Sequence, residues 1–439
     1  MNIDETLKIR TTGCACGKDH KNPIKNIIVG SGAINSLPDA ISGYGVKKAY
    51  VLSDKNTYAA AAERVCSILR AAGINVLSYS IDEDMPEPDE KTVGSAIMHY
   101  SFDCDIVIAV GSGVINDTGK IVSAVSDKPY VIVGTAPSMD GYASATSSMT
   151  RDGLKISLPS KSADIIIGDT DILKNAPMHM LVSGLGDMLA KYISICEWRI
   201  ANIVTGEYYC EEIASLVRLA LKKCVDNARG LINRDEKAVE AVFEGLVIGG
   251  IAMTYAGVSR PASGVEHYFS HVWDMRGVEF GEKVELHGIQ CAVGTLIAAK
   301  YYEKLKSITP DREKAIAYAE RFNLDAWNEK LTEFLGKGAK SMIELEKKEG
   351  KYNKVAHEKR IDIIIKNWGR ILRVIDEEIP SVKELDSLFD LIGAPKSPDE
   401  IGIDPKILPM TFKATKDIRD KYVLSRLCWD LGIIDEITE

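Results

Sequence analysis

The sequence has little of what marks a membrane, secreted or nucleic-acid-binding chain. Met1 to Arg10 is polar and holds no apolar core of a signal peptide, and no run approaches the roughly 18 apolar residues that span a bilayer. A cytoplasmic protein with no membrane span is therefore expected. Positive charge is in deficit: 54 lysines and arginines face 63 acids, a net charge of −9. No basic footprint invites a polyphosphate backbone, so nucleic acid is excluded as an expected partner. The nine cysteines are odd in number and scattered over 439 residues, which argues against a disulfide framework. Cys66, Cys196, Cys210, Cys224 and Cys291 fall in apolar periodic segments and read as reduced, buried thiols. There is no internal repeat and no low-complexity linker. What is present is an ordinary globular composition, 46% hydrophobic and 27% charged, long enough for two domains.

From Ile24 to about Gly168, short β-rich runs alternate with segments of helical period. The runs are Ile27 to Val29, Ala49 to Leu52, Val76 to Tyr79, Ile106 to Val110, Tyr130 to Val133 and Ile165 to Ile167. Such alternation predicts a parallel sheet with helices on both faces. One helix carries its own punctuation: Asp54 or Asn56 caps it, Tyr58 to Ala71 is its amphipathic body, and Gly73 ends it. After Asn175-Ala176-Pro177 the strand-like runs nearly vanish and long helical patterns take over, at Met180 to Ile200, Tyr208 to Ala228 and Ala238 to Tyr255. The expected organisation is an α/β domain over residues 1–177 followed by an all-α domain over residues 178–439.

Three groups of residues carry chemistry. Gly111-Ser112-Gly113-Val114-Ile115-Asn116-Asp117 follows a strand and precedes a helix. Glycines there let backbone approach a pyrophosphate, and a helix N-terminus offers N–H groups and a positive dipole end. A plain strand-to-helix turn has the same pattern. Asp54, past the second strand, suits either a ribose contact or a helix cap. The loop Thr135-Ala136-Pro137-Ser138-Met139-Asp140-Gly141-Tyr142-Ala143-Ser144 brings hydroxyls and one acid to the carboxyl edge of the sheet, where open α/β sheets bind ligands. The third group lies in the helical half. Asp187 is an acid amid apolar neighbours, His267 and His271 stand four apart on one helical face, and His287 opens the next helix. Only seven histidines exist in the chain, so this clustering suits a metal site of one carboxylate and two imidazoles with open positions. Cys14-x-Cys16 with His20 permits soft-metal binding too, but lacks a fourth ligand in the local sequence.

In chain order, these motifs resemble the metal-dependent polyol dehydrogenases: glycerol dehydrogenase, the iron-containing alcohol dehydrogenases and dehydroquinate synthase. The Ser138-Met139-Asp140-Gly141 loop and the Ile165 to Ala176 segment resemble one branch more closely, the sn-glycerol-1-phosphate dehydrogenases. The resemblance is fullest over about residues 20–300 and looser in the helical tail, Lys413 to Trp429 included. It implies a dehydroquinate synthase-like fold, with a dinucleotide-binding α/β domain before an all-helical metal- and substrate-binding domain, and a homodimer or larger assembly. It further implies NAD(H) or NADP(H) as cofactor. Gly111, Ser112, Gly113, Val114 and Ile115 would hold the pyrophosphate, and Asp54, Thr135, Ser138 and Ser144 would also contact the nucleotide. Asp187, His267 and His287 match the metal ligands, and Asp140, His271 and Asp187 the positions that touch substrate. Two departures stand out. A triple glycine common in the family reads Gly111-Ser112-Gly113 here, and the position four after the metal aspartate, histidine in some iron-containing members, is Lys191. The latter points to zinc or nickel rather than iron, with a cation placed for a substrate phosphate.

The implied reaction interconverts dihydroxyacetone phosphate and sn-glycerol 1-phosphate by hydride transfer at C2. In it His271 relays a proton and Asp140 orients a substrate hydroxyl. A polyol dehydrogenase acting on an unphosphorylated substrate, and a dehydroquinate synthase-like lyase using NAD transiently, share most of these motifs and remain open at this level.

Overall fold

The computed structural model describes residues 13–152 and 154–438. All six expected strands form. They are β1 (Asn26–Gly30), β2 (Lys48–Asp54), β3 (Asn75–Ile81), β4 (Ile106–Gly111), β5 (Tyr130–Gly134) and β8 (Ile165–Asp169), in one sheet of order β1-β8-β5-β4-β2-β3 with every pairing parallel. β4, β5 and β8 are buried along their whole length, which is why their sequences are unbroken valine and isoleucine runs rather than alternating ones. An antiparallel hairpin, β6 (Thr146–Arg151) with β7 (Leu154–Pro159), pairs outside that sheet. It is absent from the expected strands: β6 mixes serine, threonine and arginine with a single apolar residue, while the Leu-Lys-Ile-Ser-Leu alternation of β7 is a half-buried strand signal that was passed over.

The strand order sets where a ligand can enter. The chain leaves β2 toward the β3 edge and leaves β4 toward β5, although β2 and β4 are neighbours. Their carboxyl ends therefore flank the crevice at which open α/β sheets bind nucleotides. Asp54 ends β2 and Gly111 ends β4.

The helices used below are α1 (Glu63–Ala71), α2 (Gly113–Ser126), α3 (Met178–Leu189), α4 (Lys191–Thr205), α5 (Glu211–Asp226), α6 (Glu236–Ala256), α7 (Val265–Phe280) and α8 (His287–Leu305). The segment Tyr58–Ala62, expected as the first part of α1, is a π-helical turn. The long pattern expected from Met180 to Ile200 is divided at Ala190 into α3 and α4. α6 is long and apolar enough to cross a membrane by length and mean hydropathy alone, but Glu240 and Glu244 keep it short of an unbroken run of roughly 18 apolar residues, and 83% of its apolar window is buried within the protein. Its charges, Glu236, Lys237, Glu240 and Glu244, lie in its first turns, and the buried remainder makes it a core helix.

The chain divides into two compact units, Met1–Met188 with Glu212–Val258, and Leu189–Glu211 with Ser259–Glu439. A single cut at residue 177 does not describe this division. α6 belongs with the sheet, because its Phe243 ring lies across the two glycines that end β5 and β8: a Cβ built on Gly134 would come 2.7 Å, and one on Gly168 2.3 Å, from that ring. The second unit is helical throughout its described residues, and its interior holds paired charges, such as Arg260 with Glu207 and Arg360 with Asp430.

Candidate active site

The first unit carries the nucleotide edge. α2 starts at Gly113, and Ser112 before it makes no side-chain cap; its hydroxyl instead meets Ser138 Oγ at 2.5 Å. The first-turn N–H groups of Gly113, Val114 and Ile115 are thus left to a ligand, the arrangement that suits a pyrophosphate. Gly111 is needed for the turn, since a Cβ there would sit 2.5 Å from Ile115 Cβ. Thr135 is buried, and its N–H donates to the Gly111 carbonyl at 3.1 Å, tying the ends of β4 and β5 together. These residues fit a dinucleotide. Asp54 caps the short helix Lys55–Thr57: Oδ1 accepts from Thr57 N–H at 2.8 Å, and Asp54 N–H donates to Thr57 Oγ1 at 2.9 Å. The cap accounts for one of its oxygens.

The loop after β5 is held by a residue the sequence reading passed over. Lys120, on α2, is fully buried, and its ammonium donates to Gly141 O (2.6 Å), Ser144 Oγ (3.0 Å), Thr146 O (3.0 Å) and Asp117 Oδ1 (3.2 Å). Burial pushes its pKa down against the pull of Asp117, and burial pushes that carboxyl's pKa up against Lys120. Ser144 is drawn into this staple, so its hydroxyl serves the loop. The signal was available as an Asp-x-x-Lys pair on one helical face. Asp140 opens a short 3-10 turn, and its N–H donates to Asp187 Oδ2 at 2.9 Å. That contact depends on Gly184. A Cβ there would lie 1.8 Å from the Pro137 carbonyl oxygen, so glycine lets α3 run against the loop and aligns Asp187 with Asp140. Ser183 adds a bond from Oγ to the Ser138 carbonyl at 2.9 Å.

The second unit brings the histidines together. His267 and His287 have ring centroids 5.0 Å apart, and His271 lies 6.1 Å from His287. Both of the closer rings are oriented from behind. His267 Nδ1 donates to Glu266 Oε1 at 2.8 Å, and the same carboxylate accepts Gly264 N–H at 2.7 Å. Ser270 donates its one hydroxyl proton to Gln290 Oε1 at 2.5 Å, so at 2.9 Å it accepts from His287 Nδ1. Each imidazole is therefore fixed in the tautomer that leaves Nε2 as a lone pair, as metal-ligating histidines require. The donor set fits a divalent metal. Glu266, Ser270 and Gln290 were missed in the sequence because adjacency carries no such meaning without the fold.

Cys291, also missed, stands four residues after His287 on the same face of α8, with Sγ 3.6 Å from His287 Nε2. Its ligand atom and those of His267 and His287 lie within 4.8 Å of one another. Burial alone would raise this thiol's pKa, but the two imidazoles outweigh it and the net shift is downward. The spacing His287-x-x-x-Cys291 was the available signal. Lys191, at the start of α4, is fully buried and donates to the Ala262 carbonyl at 3.2 Å. Glu197, one helix face further along α4, is buried too. Burial first, and then the Glu266 carboxylate, push its pKa up to about 8.

The profile of the iron-containing alcohol dehydrogenase family matches residues 28–177. A relative from Halalkalibacterium halodurans named glycerol-1-phosphate dehydrogenase [NAD(P)+] is 32% identical over 294 residues, covering 66% of this chain and 74% of that protein. The chain belongs to the glycerol-1-phosphate dehydrogenase family. A relative of the same name from Geobacillus thermodenitrificans is 27% identical over 403 residues, 90% of each chain. The fold is shared with the crystal structure of glycerol dehydrogenase from Schizosaccharomyces pombe, at TM-score 0.58 and 17% identity over 96% of this chain and 92% of that one. Members of this family are oxidoreductases, and the expected α/β domain followed by a mostly helical one is the architecture found here.

Proposed function

We propose that this protein interconverts dihydroxyacetone phosphate and sn-glycerol 1-phosphate, with NAD(H) or NADP(H) as hydride partner and one divalent metal, zinc or nickel, held by Asp187, His267 and His287. The observation that carries the reading is the pair of imidazoles whose Nδ1 atoms are both engaged from behind, presenting two Nε2 lone pairs at one place. The substrate class follows the names of the relatives. When bound, the metal supplies Lewis acidity at the substrate oxygen, and the nicotinamide nucleotide gives or takes the hydride.

The rest falls to the chain itself. The α2 N-terminus and Ser112 receive the pyrophosphate, with Thr135 and Ser138 lining the same edge. Asp140, its backbone tied to Asp187, orients a substrate hydroxyl through its carboxylate. Reduction adds a hydride to C2 and a proton to its oxygen; His271, one helical turn from His267, provides that proton in the reducing direction and takes it back in oxidation. Lys191 provides a cation for the substrate phosphate. The same reading carries a cytoplasmic homodimer or larger oligomer.

The test is nicotinamide oxidation with dihydroxyacetone phosphate against unphosphorylated dihydroxyacetone, with and without chelator, followed by chiral analysis of the product. Chelator-sensitive, phosphate-requiring oxidation that yields the sn-1 product is expected. Equal turnover of the unphosphorylated ketone would move the assignment to a polyol dehydrogenase. Nucleotide binding with no net oxidation of either ketone would move it to a lyase of the synthase type.

A further inference from the structure

The Cys14-x-Cys16 motif and His20 play no part in the reaction above, yet the fold builds them into a cluster. Residues 14–17 form a turn closed by the Gly17 N–H donating to the Cys14 carbonyl at 2.9 Å. The ligand atoms of Cys14, Cys16 and His20 lie within 4.8 Å of one another, with Cys16 Sγ 3.4 Å from His20 Nε2. His20 is fully buried although it sits among Lys18, Asp19 and Lys21, of which the first two are exposed and the third largely so. Its Nδ1 is 3.0 Å from the Tyr255 carbonyl oxygen, at the end of α6. A carbonyl only accepts, so Nδ1 carries the proton and Nε2 points its lone pair at the thiol. This is the same tautomer, fixed in the same way, that the structure gives His267 and His287.

A simple S–H···N hydrogen bond would account for the approach of Cys16 to His20 but not for the convergence of all three ligand atoms. A tetrahedral zinc site accounts for all three. With metal–sulfur and metal–nitrogen distances of about 2.3 and 2.0 Å, tetrahedral angles place S and N about 3.5 Å apart, close to the 3.4 Å found between Cys16 and His20. We propose that Cys14, Cys16 and His20 supply three ligands, two thiolates and one imidazole, of a structural Zn2+ site separate from the catalytic one. Soft thiolate donors with an imidazole select zinc over the harder divalent ions. Binding replaces the thiol protons, which leave to solvent, and involves no change of oxidation state. The site would anchor the N-terminal segment against α6.

The test uses the full-length protein, reduced, stripped with chelator and reloaded. Zinc analysis should give two equivalents per chain, and Co2+ in place of zinc should give thiolate-to-cobalt charge-transfer absorption. That band should be lost in Cys14→Ser and Cys16→Ser, and should persist in Cys291→Ser, which separates it from the cysteine beside the catalytic histidines. The Cys16→Ser protein should retain one metal equivalent and turnover with dihydroxyacetone phosphate while melting at lower temperature. A wild-type chain that shows no thiolate–cobalt band, or a band that is lost in Cys291→Ser and kept in Cys16→Ser, overturns the proposal.

Discussion

At the scale of single residues, the groups that decide what the histidines do are not the ones that touch a ligand. His267 is useful to a metal only while Nδ1 is held protonated by Glu266, 2.8 Å away. Glu266→Gln keeps an oxygen in place but removes the charge that makes the ring a stronger donor, and loss of such an outer partner costs about 10–100-fold in metal affinity. A chelator-competition titration should show that loss, with kcat at saturating metal falling less. His267→Ala should lose metal retention and turnover together while nucleotide binding persists. An unchanged metal affinity in Glu266→Gln would remove Glu266 from this role. Lys120 acts on the other half of the site. Replacing it with methionine leaves two backbone carbonyls and the Asp117 carboxylate buried without their cation, and breaking a buried charged pair on one side costs about 3–5 kcal/mol. The Lys120→Met protein should melt well below the wild type and bind nucleotide weakly, since the loop from Thr135 to Ser144 loses its staple; a wild-type melting curve would show that the staple is dispensable.

At the scale of elements, close approach of backbones does what side-chain contacts cannot. α3 passes so near the loop after β5 that any side chain at Gly184 collides with the Pro137 carbonyl. Gly184→Ala should therefore destabilise by about 1–3 kcal/mol as the helix is pushed off, and it should weaken nucleotide and metal binding together, because that loop carries Ser138 and that helix carries Asp187. Gly94 is the contrast: a Cβ built there meets nothing within 4 Å in its helix, so Gly94→Ala should instead stabilise by about 0.5–1 kcal/mol. Melting temperatures moving in opposite directions check both. These elements also show how far the sequence could be read. The six parallel strands were legible because buried strands are written as unbroken apolar runs, and the α2 N-terminus because glycines must precede it. The β6–β7 hairpin was not, since β6 has one apolar residue in six, and the Leu-Lys-Ile-Ser-Leu alternation of β7 was passed over. Nor could spacing reveal that Lys120 reaches Gly141, that Ser270 stands between His287 and Gln290, or that α6 packs with the sheet, because each is a tertiary contact across at least 17 residues of chain.

At the scale of the whole molecule, buried titratable groups in the second unit make stability depend on pH in two opposing ways. Glu197 sits on α4, with Oε1 accepting from Leu424 N–H at 2.8 Å and Oε2 from Val265 N–H at 2.9 Å. Burial and the neighbouring Glu266 carboxylate push its pKa from 4.5 up to about 8. Between those values the folded chain holds a proton that the unfolded chain has released, so stability falls as pH rises, by at most about 1.4 kcal/mol per pH unit for one proton. Lys416 and Lys421 work the other way. Burial pulls both down from 10.5 to about 7, against Asp417 for Lys416 and together with Arg260 for Lys421. Above about pH 7 the unfolded chain therefore binds the extra protons, and stability rises with pH. The metal-stripped protein should lose melting temperature from about pH 5 to pH 7 and then regain it above about pH 7, where the two lysines outweigh what remains of the one glutamate. Glu197→Gln, neutral throughout, should flatten the first limb and leave the second, so the difference between the two melting curves isolates Glu197. A difference that does not change between about pH 5 and pH 8 would mean that the folded protein carries Glu197 ionised across that range, with two negative carboxylates side by side behind His267.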